Sequence, residues 1–395
     1  MRCRVGPQRP PPAAPRSILV LGYNAIGDLI FFLPVLEGLR RQWPRARIVF
    51  LADGPPLIDE IAPQSGFCDE VWFREWEYPP HDRAADIRRR IRAASFDWVV
   101  LSLASPAHDY QGSLGAVPLR AGHCRPLQPS RQGWAWPRRL WWQLRYGLVV
   151  GEFARRAILN RKAWVPADGE HALLRNLRLL DVLAVPRPPL QRPAFPLTEA
   201  NRAFAAQALA SLDPGKKKVA VHLGPPCNPY FKIWPAERFA AVCRSLAAQM
   251  PADIIAVGSE AETASLQRAR QAFPGLHSRV GECSFLDSCA LIAGCDLFLS
   301  NDTGPAKAAM ALGVPTVTVF GPTDPGEVGV IWDPQRHLEV RTGIECSPCV
   351  RLGMAKAGPG VINYSNCGHH NCLQQLDADA VLAAIRAKYP ALFSA

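Results

Sequence analysis

Residues 296–320 read DLFLSNDTGPAKAAMALGVPTVTVF. Asp296 to Ser300 is a short apolar run. Ser300 to Pro305 (SNDTGP) is a cluster of small, turn-forming residues, Pro305 to Leu312 has helical composition, and Pro315 to Phe320 is a second apolar run rich in β-branched residues. A strand, a turn, a helix and a strand in that order form a βαβ unit, whose strands run parallel because a helix must carry the chain back across the sheet.

The same alternation extends in both directions. Lys217 to Gly224 and Asp253 to Gly258 read as further strands, with helices near Ala236 to Gln249, Glu260 to Ala272 and Ala378 to Lys388. An earlier series contains strands at Ser17 to Gly22, Ala46 to Ala52, Glu70 to Phe73 and Trp98 to Ala104, with helices over Leu29 to Gln42 and Ala84 to Ala94. Between the two series, Arg187 to Pro196 (RPPLQRPAFP) holds four prolines, which bar helix and central strand alike. The expectation is an α/β protein of two doubly wound parallel-sheet lobes facing a cleft, with ligand at the carboxyl ends of the strands. Residues 1–16 read as a disordered leader, 17–190 as the first lobe and 191–395 as the second.

Composition narrows the class. The 395 residues are 48% hydrophobic and 20% charged, which excludes disorder of the whole chain and favours two domains. The formal charge of +11 favours phosphate-bearing partners: nucleotides, nucleic acid or an anionic membrane. The leader has no apolar core of a secretory signal, and no later run is long enough to span a bilayer, so a cytoplasmic protein is expected. Twelve cysteines in such a protein are expected as free thiols, with Cys243, Cys289 and Cys295 as small core residues.

Four short motifs carry chemistry. Gly22 to Asp28 (GYNAIGD) joins a strand to a helix; Gly27 permits close approach, and Asp28 projects from the helix start, where it could equally be an ordinary cap. Neither G-x-G-x-x-G nor G-K-[ST] occurs here, which disfavours a dinucleotide or ATP loop. In SNDTGP the proline and the helix-start N–H groups near Thr303 and Gly304 suit a diphosphate, and Gly321 to Pro325 (GPTDP) repeats a turn after the next strand. Lys232, in FKIWP, could neutralise a leaving phosphate, and Glu262, in GSEAE, could accept from ribose hydroxyls. A surface lysine and a helix-start glutamate are the plain alternatives.

Two segments stand apart. Residues 120–164 form a basic insert interleaved with Trp134, Trp136, Trp141, Trp142 and Trp164, the composition of a segment that seeks anionic lipid. A single-stranded nucleic-acid surface and an Arg face over core tryptophans are the alternatives, nucleic acid being the least favoured. The Cys-rich segment 346–372 offers Cys346, Cys349, Cys367 and Cys372, which could hold a structural zinc or remain thiols; no metal ligand is assigned there.

Taken together, NAIGDLIFFLPVLEGLRRQWPRARI, FKIWPAERFAAV, SNDTGPAKAAMALGVPTVTVFGPTDP and the CSPC, NC and CL elements resemble the heptosyltransferase family of glycosyltransferases, family 9, in order and spacing. The likeness runs from about residue 17 to the C-terminus and is weakest between about 105 and 215. It implies the GT-B fold and an inverting transfer of a heptose from a nucleotide sugar, ADP-heptose, to a hydroxyl of a lipopolysaccharide core or similar anionic glycolipid. No cofactor is required, and the protein would work at the cytoplasmic face of the inner membrane. On that likeness Asp28 matches the general base, Lys232 the phosphate-binding lysine, Glu262 the ribose-binding glutamate, and Asp302, Thr303 and Gly304 the donor diphosphate loop. Lys307 stands where the family usually has histidine; it keeps positive charge beside the diphosphate but cannot accept a hydrogen bond. A non-enzymatic nucleotide-sugar-binding protein is the alternative function.

Overall fold

Short, buried strands build the centre of each half of the chain. The computed structural model describes residues 14–22, 25–52, 58–73, 83–102, 111–124, 156–165, 169–225, 232–350 and 367–393. The first sheet contains β1 (Ser17–Leu21), β2 (Arg47–Ala52), β3 (Glu70–Phe73), β4 (Trp98–Leu101), β5 (Leu119–Cys124) and β6 (Arg161–Trp164). Its order is β3-β2-β1-β4-β5-β6, with every pairing parallel. The second contains β7 (Lys217–His222), β8 (Ala252–Ala256), β9 (His277–Ser278), β10 (Leu297–Asn301), β11 (Thr316–Val319) and β12 (His337–Val340), ordered β12-β11-β10-β7-β8-β9 and also all parallel. Counted from its own first strand, each sheet has the same winding order. Each therefore reverses direction between its first and fourth strands, β1 and β4 in one and β7 and β10 in the other. The chain divides between Pro189 and Leu190 into two compact units, each holding one sheet.

Parallel strands covered on both faces must be apolar throughout. Ile18 to Leu21 and Leu297 to Leu299 are wholly buried accordingly. The described helices of nine or more residues are α1 (Ile26–Gln42), α2 (Arg83–Ala94), α3 (Ala172–Val182), α4 (Glu199–Ala210), α5 (Ala236–Gln249), α6 (Thr263–Ala272), α7 (Phe285–Ala293), α8 (Gly304–Leu312) and α9 (Ala378–Lys388). Local chemistry sets their limits. Ser284 and Asp287 form a capping box at the start of α7. Gly313 ends α8 in the left-handed region at φ 76°, where a Cβ would also run into the Arg192 guanidinium.

Against expectation, the basic segment 120–164 is part of the first sheet at both ends. Arg120 is 4% exposed within β5, and its guanidinium donates to the carbonyls of Ile158 and Val117. Residues 161–164 form β6, paired with β5. Arg120 is thus a core residue with backbone partners, and only the described far end, with Arg161, Lys162 and Trp164 exposed, shows basic and aromatic side chains to solvent. Trp134, Trp136, Trp141 and Trp142 lie outside the described residues. The helix expected from Glu260 begins instead as a 3-10 turn over Glu260–Glu262 before α6.

Candidate functional site

The second sheet's switch point brings the ends of β7 and β10 side by side. β7 leads through Gly224, whose φ of 79° and contact with Ile233 and Asn301 leave no room for a side chain. Asn301, the last residue of β10, is fully buried; its amide donates to the Leu223 carbonyl at 3.1 Å and accepts from the Trp234 N–H at 2.8 Å. Trp234 is itself buried and donates from its indole to the Leu376 carbonyl at 2.8 Å. Those contacts anchor residues 232–235 against the strand end and so place Lys232.

Asp302 follows Asn301 and gathers the site's charges. One carboxylate oxygen faces Lys307 Nζ at 2.7 Å, and the other faces Lys232 Nζ at 3.3 Å while accepting from the Thr323 hydroxyl at 2.7 Å. Burial pushes the Asp302 carboxyl up, but the two ammoniums, with the Lys307 and Thr323 hydrogen bonds, outweigh it and hold the group well below the usual carboxylate range. Thr323 belongs to the GPTDP turn after β11, so both turns read from sequence meet here. Its hydroxyl partner was not legible, because a threonine in a turn is most often only a turn residue.

Thr303 is the N-cap of α8 in extended backbone and makes no side-chain capping bond; its hydroxyl lies 3.0 Å from that of Ser300. Gly304 opens the helix, with Pro305 next. A helix start of this kind presents N–H groups and the positive end of the dipole. Asp302, Thr303, Gly304, Lys307 and Lys232 are therefore in one place at the carboxyl end of β10.

Glu262 lies beyond the end of β8 and is 4% exposed. One of its oxygens accepts from the Ser259 N–H at 2.7 Å and hydroxyl at 2.8 Å in a capping box, and the other faces His222 Nε2 at 3.4 Å. Burial raises its pKa, yet His222 and Ser259 outweigh that and keep it below the usual value. His222, at the end of β7, is a partner the sequence reading did not single out.

In the first unit, Gly22 follows β1 and is buried; a Cβ there would overlap the Phe50 ring. Ser102, just past β4, donates to the Gly22 carbonyl at 3.1 Å, tying the two strand ends at the switch point. Asp28 and Gly27 stand half-buried in the first turn of α1, whose N-cap is Ala25 with no side-chain bond.

Of the four cysteines of segment 346–372, Cys346 is exposed, Cys349 and Cys367 are half-buried and Cys372 is buried. Burial, reinforced by the neighbouring thiols, pushes Cys372 up to about 11. Among the described residues no group of three or more His, Cys, Asp or Glu is arranged to hold a metal ion, and residues 351–366 lie outside them. Cys243, Cys289 and Cys295 are core residues, as their apolar context suggests.

Two parallel sheets wound in the same order, with a turn of small residues and an uncapped helix start at the second switch point, are the frame of a GT-B glycosyltransferase. The chain belongs to glycosyltransferase family 9 (heptosyltransferase), whose model matches residues 137–356, and it is an enzyme of that class. It is 23% identical over 347 residues to lipopolysaccharide heptosyltransferase 1 of Pseudomonas aeruginosa, covering 85% of this chain and 86% of that protein. The solved structure of Escherichia coli ADP-heptose lps heptosyltransferase II superposes with a TM-score of 0.66 at 16% identity, over 96% of this chain and all of that one. The E. coli heptosyltransferase WaaC with ADP-2-deoxy-2-fluoro heptose gives 0.60 at 19% identity, over 94% and 99%.

Proposed function

We propose that this protein transfers a heptose, with inversion, from ADP-heptose to a hydroxyl of a lipopolysaccharide-core glycolipid. The observation that carries the reading is the net positive, largely buried cluster of Asp302, Lys307 and Lys232 beside the uncapped start of α8. That arrangement suits a departing nucleoside diphosphate, whose negative charge grows as the glycosidic bond loosens. The ADP-2-deoxy-2-fluoro heptose held by E. coli WaaC supports ADP-heptose as the donor.

In this mechanism the Lys232 ammonium and the N–H groups near Thr303 and Gly304 take up the leaving group's charge. Asp28 removes the proton of the attacking hydroxyl as the sugar acquires oxocarbenium character. Glu262 orients the nucleotide through a carboxylate already fixed by Ser259 and His222. A glycolipid acceptor at a membrane surface is supported by β6, where Arg161 and Lys162 are exposed, Trp164 is 51% exposed and Arg156 lies 5.3 Å from its ring. No helix among the described residues is long and apolar enough to cross a membrane.

The test is ADP release from ADP-heptose with and without a lipid A–core acceptor, for the wild type and for Asp28→Asn. Acceptor-dependent release is expected, falling by about 100-fold or more in the variant while donor affinity holds. Donor binding without acceptor-dependent release in either protein would instead assign a binding protein.

A further inference from the structure

Around Asp302 the charges do not cancel. Lys307 and Asp302 are both deeply buried, with 5% and 4% of their side chains exposed, whereas Lys232 keeps 35% exposed. The Lys307 ammonium is also 5.2 Å from the Phe320 ring centroid, which fits an interior cation. One carboxylate against two ammoniums leaves one positive charge, and exposure puts it on Lys232. Glu339 on β12, which accepts from the Val330 N–H, lies within electrostatic reach of Lys307, Asp302 and Arg341.

We propose that Lys307 is a positioning residue: by neutralising Asp302 from the buried side, it frees the Lys232 ammonium to meet a nucleoside diphosphate. This rests on the donor-site reading above but assigns Lys307 a different part from a direct diphosphate contact. With Asp302 and Lys232 alone the pair would be neutral, and an incoming diphosphate would compete with a buried carboxylate for the only ammonium. With Lys307 present, Asp302 keeps Lys232 oriented at 3.3 Å without consuming its charge.

The experiment is an ADP affinity cycle on the full chain by calorimetry, with thermal melting as a check on folding. Lys307→Met should weaken ADP binding by about 10- to 100-fold, because Asp302 is then left to compete with the diphosphate for the Lys232 ammonium. In an Asp302→Asn background the same change should cost less than about 3-fold, because no carboxylate remains to be neutralised. The double variant buries no unpaired carboxylate, so it keeps the test open where the single variant fails to fold.

Lys307→His adds a readout that a purely structural role would not move. Its ADP affinity should fall as pH rises from 5.5 to 8, while the wild type shows no such fall. Equal losses in both backgrounds would make Lys307 a direct ligand and overturn the proposal, as would no loss in either. If the wild type binds none of ADP, GDP and UDP, the donor-site reading falls first and takes this one with it; binding with a flat cycle removes this one alone.

Discussion

Asn301 carries no charge and precedes the acidic residue of its turn, yet it joins three strand-end segments through one amide. It donates to Leu223 and accepts from Trp234, both in the interior. Asn301→Ala leaves a buried carbonyl and a buried N–H unsatisfied, so it should cost about 2–4 kcal/mol in denaturant unfolding. It should also raise KM for the donor by loosening the segment that carries Lys232. The sequence showed SNDTGP as a turn because small and Gly/Pro residues between an apolar run and a helix have few other uses. It could not show that Asn301 and Thr323 are the side chains on which the turn's geometry depends, since both bonds reach residues far away in the chain. For Glu262 the two sequence readings, cap and ligand, are not exclusive: the carboxylate caps its own turn and faces His222 at the strand ends.

At the scale of the element, the exit from β7 depends on Gly224. A left-handed residue there turns the chain toward Ile233 and Asn301, and a methyl group would meet Ile233 at 2.7 Å and the Asn301 amide at 3.2 Å. Gly224→Ala should therefore combine backbone strain with a clash and lower stability by about 1–3 kcal/mol. ADP affinity should fall further than in a control substitution of similar cost in the first unit, a comparison that calorimetry and melting decide together. Strands built on an apolar run, such as β1 and β10, were legible from composition alone. β5 was not: LRAGHC contains an arginine and a histidine, and only the fold shows Arg120 bonded to two carbonyls and His123 Nε2 at 2.9 Å from the Arg175 carbonyl. Two-residue β9 and the edge strand β12 are too short or too polar to stand out from loops.

Across the whole molecule, stability should decline on mild acidification through one buried histidine. His337 in β12 is 3% exposed, and burial, opposed by Asp333 and aided by Arg336, Arg192 and Lys388, brings its pKa down to about 4. A histidine held below its unfolded value of about 6.5 binds its proton more readily in the unfolded chain. Stability is thus complete above about pH 6.5 and is lost as pH falls toward 4, by up to about 3 kcal/mol. Melting temperatures across that window should fall more steeply for the wild type than for His337→Gln; parallel slopes would show that other groups govern the decline.

The shared winding order of the two sheets also has a kinetic side. In each unit the strands that meet at the centre are far apart in the chain: the Ser102 to Gly22 bond spans 80 residues and the Asn301 to Leu223 bond 78. Closing such loops is slow because the chain entropy is lost before the contacts that repay it can form. The outer βαβ pieces can associate early, but the turn at the start of α8 can take shape only when β10 joins β7. In a refolding chain, nucleotide recognition will therefore be among the last properties to return, well after helix and sheet signals have recovered.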